Sequence, residues 1–97
     1  MPRTKCIRYI ENQPNITYYK PAGIPLRDLT EITIELDELE AIRLADLEGL
    51  YQSKAAEQMK ISRQTFGRII SSAHQKIAEA LINGKAIKID TTTQNKF

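Results

Sequence analysis

The chain has 97 residues, 41% of them apolar and 27% charged, which suits one small globular domain and leaves no room for a second. No apolar run approaches the roughly 18 residues of a membrane span. No apolar stretch follows the basic start as in a secretory signal, and the single cysteine, Cys6, can form neither an internal disulfide nor a Cys-rich metal site. The expected compartment is the cytoplasm, with no cofactor and no metal.

Charge is unevenly distributed. Residues 1–30 carry net +3, residues 31–50 net −6 and residues 51–97 net +5. An acidic and a basic face are expected, as in proteins that bind nucleic acid. Solvated helices give the same pattern by chance. With no Trp and only 6% aromatics, the core must come from Leu, Ile and Ala, which favours helices.

Residues 1–30 read as a basic arm and loop. Pro14, Pro21 and Pro25 exclude a long helix. Residues 17–20 suit a short strand, and residues 20–25 an extended, turn-rich loop. Residues 31–90 form the expected helical domain. Residues 31–36 alternate polar and apolar, the pattern of a half-buried strand, and residues 86–89 repeat it after Asn83-Gly84. These two segments can pair as a small ladder beside the helices. Residues 91–97 read as a flexible tail.

A first helix is expected from Asp37, with Glu40 three residues on as in a capping box, to Leu47 or Glu48 before Gly49. Its apolar residues, Leu39, Ala41, Ile42, Leu44, Ala45 and Leu47, spread beyond one stripe. Such a helix is central, or one side meets a partner. A second helix spans residues 52–59, with Ala55, Ala56 and Met59 inward. Ser62 caps a third, over residues 63–82, where Phe66, Ile70, Ala73, Ile77 and Leu81 recur every three or four positions. The fold class is mainly α: a three-helix core with a helix-turn-helix, plus short β segments.

Residues 52–70 carry the functional signal. A short helix with paired small residues, a tight turn and a Ser-capped helix have helix-turn-helix spacing. With Phe66 inward and about 100° per residue, Gln64, Arg68, Ser71 and Gln75 point outward and Gly67 lies at the edge. Arg63, Gln64, Gly67, Arg68 and Ser71 are the candidate base-contacting residues, since Arg pairs with guanine and Gln with adenine. Ser62, Thr65, Ser72 and Lys76, with Arg3, Lys5 and Arg8 of the arm, are the candidate phosphate contacts. Gly67 costs about 1 kcal/mol relative to Ala inside a helix, and close approach of DNA explains it better than packing on another helix.

Other functions have weaker support. His74, the only histidine, suits a surface or phosphate-contacting role better than a general base. Capping and solvation account for Glu35, Asp37, Glu38 and Glu40 without catalysis, and no base stands by to activate Cys6. No enzyme is expected. The alternative is an adaptor docking on RNA polymerase or another protein through the acidic first helix. A homodimer through the same helix is compatible with DNA binding. Few aromatics argue against single-stranded RNA.

These blocks resemble an uncharacterised prokaryotic family of small predicted DNA-binding proteins. The resemblance runs through Tyr19-Lys20-Pro21-Ala22-Gly23-Ile24-Pro25, Leu36-Asp37-Glu38-Leu39-Glu40-Ala41-Ile42-Arg43-Leu44-Ala45-Asp46, Ile61-Ser62-Arg63-Gln64-Thr65-Phe66-Gly67-Arg68-Ile69 and Ala80-Leu81-Ile82-Asn83-Gly84. The helix pair is also similar to the promoter-reading fourth region of bacterial sigma factors. The resemblance implies sequence-specific binding of double-stranded DNA and transcriptional control. Two departures stand out. Lys60 takes a turn position where Gly is common, and only Cys6 is present where relatives can carry more cysteines.

Overall fold

The structure, a computed structural model, describes residue 10 and residues 14–91. Arg3, Lys5, Arg8, Cys6 and the tail from residue 92 lie outside the described residues. The elements run β1 (Tyr18–Tyr19), a 3-10 turn (Leu26–Asp28), β2 (Glu31–Glu35), α1 (Leu36–Ile42), a π-helical turn (Arg43–Leu47), α2 (Gln52–Met59), α3 (Arg63–Asn83) and β3 (Ala86–Asp90). The protein is mainly helical with a small sheet.

The two alternating segments do pair. β2 lies parallel to β3 in the register Glu31 to Ala86 through Glu35 to Asp90. All three helices form the crossover between these parallel strands. β1 adds an antiparallel edge, so the order is β1-β3-β2 with the last strand in the middle. The register puts Ile32 and Ile34 beside Ile87 and Ile89, where one apolar face can form against the helices.

α1 starts earlier than Asp37. The strand ends at Glu35, which is itself the N-cap, and the capping box joins Glu35 to Glu38 rather than Asp37 to Glu40. The Glu38 carboxylate accepts the Glu35 N–H at 2.9 Å. Glu40 is turned to Arg43, whose Nε and Nη2 donate at 3.0 and 2.8 Å. The α-helical pattern stops at Ile42 and widens into the π turn, where the Glu48 N–H reaches the Arg43 carbonyl at 2.8 Å. Gly49 then reverses the chain at φ 74°.

The wide apolar spread of α1 is explained by its central place. Ala41 and Leu44 join Ala55, Ala56, Met59, Phe66, Ile69 and Ile70 in one cluster. Leu36 joins Ile34 and Ile89 in another, with Ile10, Leu39, Ile77 and Ile87 packed against it. Each large buried side chain contributes on the order of 1.5–3 kcal/mol. Leu47 alone of the expected apolar set turns outward, 78% exposed. At the far end of α3, Leu81 is also exposed, at 73%, and Ala80 is buried instead. At about 100° per residue, Ala80 stands closer than Leu81 to the inward line through Phe66, Ala73 and Ile77.

Candidate nucleic-acid interface

α2 and α3 are joined by three residues, Lys60 to Ser62. Lys60 takes the left-handed conformation, φ 61° and ψ 43°, the only positive φ outside glycine among the described residues. That conformation lets the Ile61 N–H return to the Ala56 carbonyl at 3.1 Å while the Ile61 side chain packs on the core. Ala55 and Ala56, 0% and 2% exposed, present only methyl groups, so the two helices come close together. Ser62 caps α3, its Oγ accepting the Thr65 N–H at 3.1 Å and donating to Thr65 Oγ1 at 2.9 Å. Thr65 and Ser62 therefore satisfy each other at the start of the helix.

Phe66, 0% exposed, fixes the rotation of α3. Gln64, Arg68, Ser71 and Gln75 are exposed, as about 100° per residue from Phe66 requires, and Arg63 in the first turn is exposed as well. From Arg63 to Ala78 the helix carries no Asp or Glu. Among the described residues, Arg63 and Arg68 make no ion pair, while Arg43, Lys54, Lys76 and Lys85 all do. Gly67 lies half-buried at the edge of the stripe. A Cβ built there would meet only Gln52 Oε1, at 3.6 Å, an ordinary contact. The glycine is not required for helix packing.

Ser72 and Lys76 lie elsewhere. Both point to α1, where Ser72 Oγ donates to Glu38 Oε2 at 2.6 Å and Lys76 Nζ to Glu38 Oε1 at 2.8 Å. Glu38 is 6% exposed, a buried carboxylate shared by two helices. Burial pushes its carboxyl up. The Glu35 N–H, Lys76 and Ser72 outweigh that and hold it below the usual carboxylate range. Ser72 and Lys76 are thus occupied with holding α3 on α1. Glu40 is likewise buried against Arg43, so the acidic stretch exposes less charge than its composition implies. His74 Nε2 lies 2.7 Å from Asp46 Oδ2, both half-exposed, and ties α3 to the π turn. Away from this surface, the Tyr18 hydroxyl donates to Glu31 Oε2 at 2.8 Å, which raises its titration range.

Two features escaped the sequence. The partner of Glu38 lies 38 positions away, beyond any helical spacing. The approach of Gln52 to Gly67 depends on how tightly the helices cross. Among the described residues, no cluster of three or more His, Cys, Asp or Glu can hold a metal ion, and no helix is long and apolar enough to cross a membrane.

The chain is similar along most of its length to bacterial proteins. A UPF0251 protein of Caldanaerobacter subterraneus subsp. tengcongensis is 58% identical over 90 residues, covering 93% of this chain and 76% of that protein. A UPF0251 protein of Thermoanaerobacter pseudethanolicus is 54% identical with the same coverage, 93% and 76%. One from Prosthecochloris aestuarii is 54% identical over 88 residues and longer, the chain spanning 57% of it. No solved structure matches. The profile described as "Protein of unknown function DUF134" matches residues 1–95, and the chain belongs to that family.

Proposed function

We propose that the protein binds double-stranded DNA in a sequence-specific way and acts as a transcriptional regulator, with α2 and α3 as a helix-turn-helix and α3 as the reading helix. The observation that carries this reading is the pair of exposed arginines, Arg63 and Arg68, without ion pairs among the described residues, on a stretch of helix free of carboxylates. Cations left uncompensated on a protein surface attract a polyanion. Their neighbours Gln64 and Ser71 add the donors and acceptors that base edges require. Gly67 lets the groove come near the helix backbone. Ser62 and Thr65 stand at the helix start, where N–H groups favour phosphate.

In this reading Ser72 and Lys76 serve the fold, since Glu38 engages them. For the adaptor alternative, Glu38 and Glu40 are buried and bonded, which leaves Glu31, Asp46 and Glu48 as the exposed carboxylates of the acidic stretch. The test is selection of duplexes from a random pool by the purified protein, then titration of the selected duplex. Arg63→Ala or Arg68→Ala should each weaken that binding by about 1–3 kcal/mol if the residue reads a base. Full affinity in both variants, or retention of no duplex, refutes the reading.

A further inference from the structure

The outward line of α3 changes character along its length. Gln64, Arg68, Ser71 and Gln75 make its first half polar. Beyond them it is apolar. Ile82 follows Gln64 by about five full turns and so stands on the same line, with Ala78 about 40° and Leu81 about 100° to one side. All three are exposed, Leu81 at 73% and Ile82 at 82%. Leu81 borders a groove of about 370 Å³ that it shares with Tyr19, Pro21, Gly84 and Ile87, and Tyr19 is itself 54% exposed. The charges bordering this patch are already engaged. Glu79 pairs with Lys85, and Lys20 Nζ donates to the Ile24 carbonyl at 2.8 Å and the Pro21 carbonyl at 3.3 Å. Covering the patch therefore strands no unengaged charge.

We infer that two copies of the chain pair through this end of α3, the Leu81 and Ile82 stripe of each packed on the same stripe of the other about a two-fold axis, with the Tyr19 groove at its edge. A two-fold contact requires a surface complementary to itself, and an apolar patch with engaged margins is one. It offers a polyanion nothing, unlike the first half of the same line. α1 provides no such face, because its apolar residues are buried or half-buried in the core. The area fits a second copy. Leu81, Ile82 and Tyr19 expose on the order of 300 Å² of apolar surface, and a homodimer contact buries about 800 Å² per partner, about 65% of it apolar. Ala78, Pro21 and Ile87 supply part of the remainder, so the dimer is weak and dissociates on dilution. Geometry fits as well. The reading turns, centred near Gly67, lie about 22 Å along α3 from the patch. Two-fold pairing there sets them up to about 44 Å apart, and an inclined crossing of the two helices brings this to the roughly 34 Å between half-sites one helical turn apart. Only this spacing rests on the DNA-binding reading; the pairing rests on the patch.

The test measures the mass of the full chain, without DNA, by sedimentation over a dilution series from hundreds of micromolar to about one micromolar. Wild type should pass from dimer to monomer. The double variant Leu81→Glu, Ile82→Glu should be monomeric throughout, with an unchanged circular dichroism melt because both residues are exposed. Should the glutamates unfold the chain, the pair Leu81→Ala, Ile82→Ala decides, and it should weaken the dimer by at least about 10-fold. Leu47→Glu, which charges an equally exposed apolar residue off the patch, should leave the dimer intact. A wild type that is monomeric throughout, a dimer that survives the patch variants, or one that Leu47→Glu dissociates as well as they do would overturn the inference. Binding to the selected duplex is measured in parallel. A monomer that still binds it sinks the inference alone, and a patch-dependent dimer that binds no duplex sinks the DNA reading alone.

Discussion

The buried carboxylate of Glu38 gives the strongest test of how the reading helix is held. Glu38→Ala removes the acceptor of three donors: the Glu35 N–H at 2.9 Å, Ser72 Oγ at 2.6 Å and Lys76 Nζ at 2.8 Å. Loss of the capping box costs about 1 kcal/mol. The hydroxyl and ammonium bonds to a carboxylate would each be worth about 1.5–3 kcal/mol if fully buried. Lys76, with 31% of its side chain exposed, recovers water, so its share is discounted. The sum is about 3 kcal/mol. A domain of this size has on the order of 5–15 kcal/mol in all, and the midpoint of thermal unfolding should fall by roughly 12–24 °C. Lys76→Met should cost less, about 1 kcal/mol, because Glu38 keeps two donors. Acidity adds a sign. The folded carboxyl titrates below its unfolded value, so its stabilisation is present above about pH 4.3 and is lost as pH falls through the folded value. Wild type should therefore lose more stability than Glu38→Gln over that acid range. Circular dichroism melts across pH measure both effects. A Glu38→Ala midpoint within about 2 °C of wild type, or parallel acid curves for wild type and Glu38→Gln, would refute the argument.

Three further outcomes are expected. Lys60→Gly should raise stability by about 1 kcal/mol in a denaturant titration, because Lys60 pays for φ 61° with its Cβ and glycine does not. Neutralising Arg3, Lys5 and Arg8 together should weaken binding to every duplex alike and reduce the salt slope by about 2–3; equal slopes would leave the arm without a DNA role. Light scattering at tens of micromolar should find a homodimer, with or without DNA, since two-fold pairing doubles the phosphate contacts of a small domain; a monomeric mass in both states would refute this.

Local chemistry and the strand alternation were legible, and side-chain contacts between helices were not. Ser62 declares its cap by its own hydroxyl, Gly84 its left-handed stop by the missing Cβ, and residues 52–59 their helix by Ala55, Ala56 and Met59. The alternation of residues 31–36 and 86–89 gave the strands and their pairing. The start of α1 was misplaced because Asp37 is the better cap on paper and Glu35 is not a preferred one. What selects Glu35 is Glu38, and what fixes Glu38 is Ser72 and Lys76 on another helix. The same tertiary bond engages two residues of the candidate phosphate set and ties α3 to α1, while buried Phe66 sets the rotation that leaves Arg63, Gln64 and Arg68 exposed. A single carboxylate thus closes the capping box of α1 and fastens α3 to it. Spacing rules read each helix separately, so they found the outward face through Phe66 and missed the carboxylate that joins the two helices.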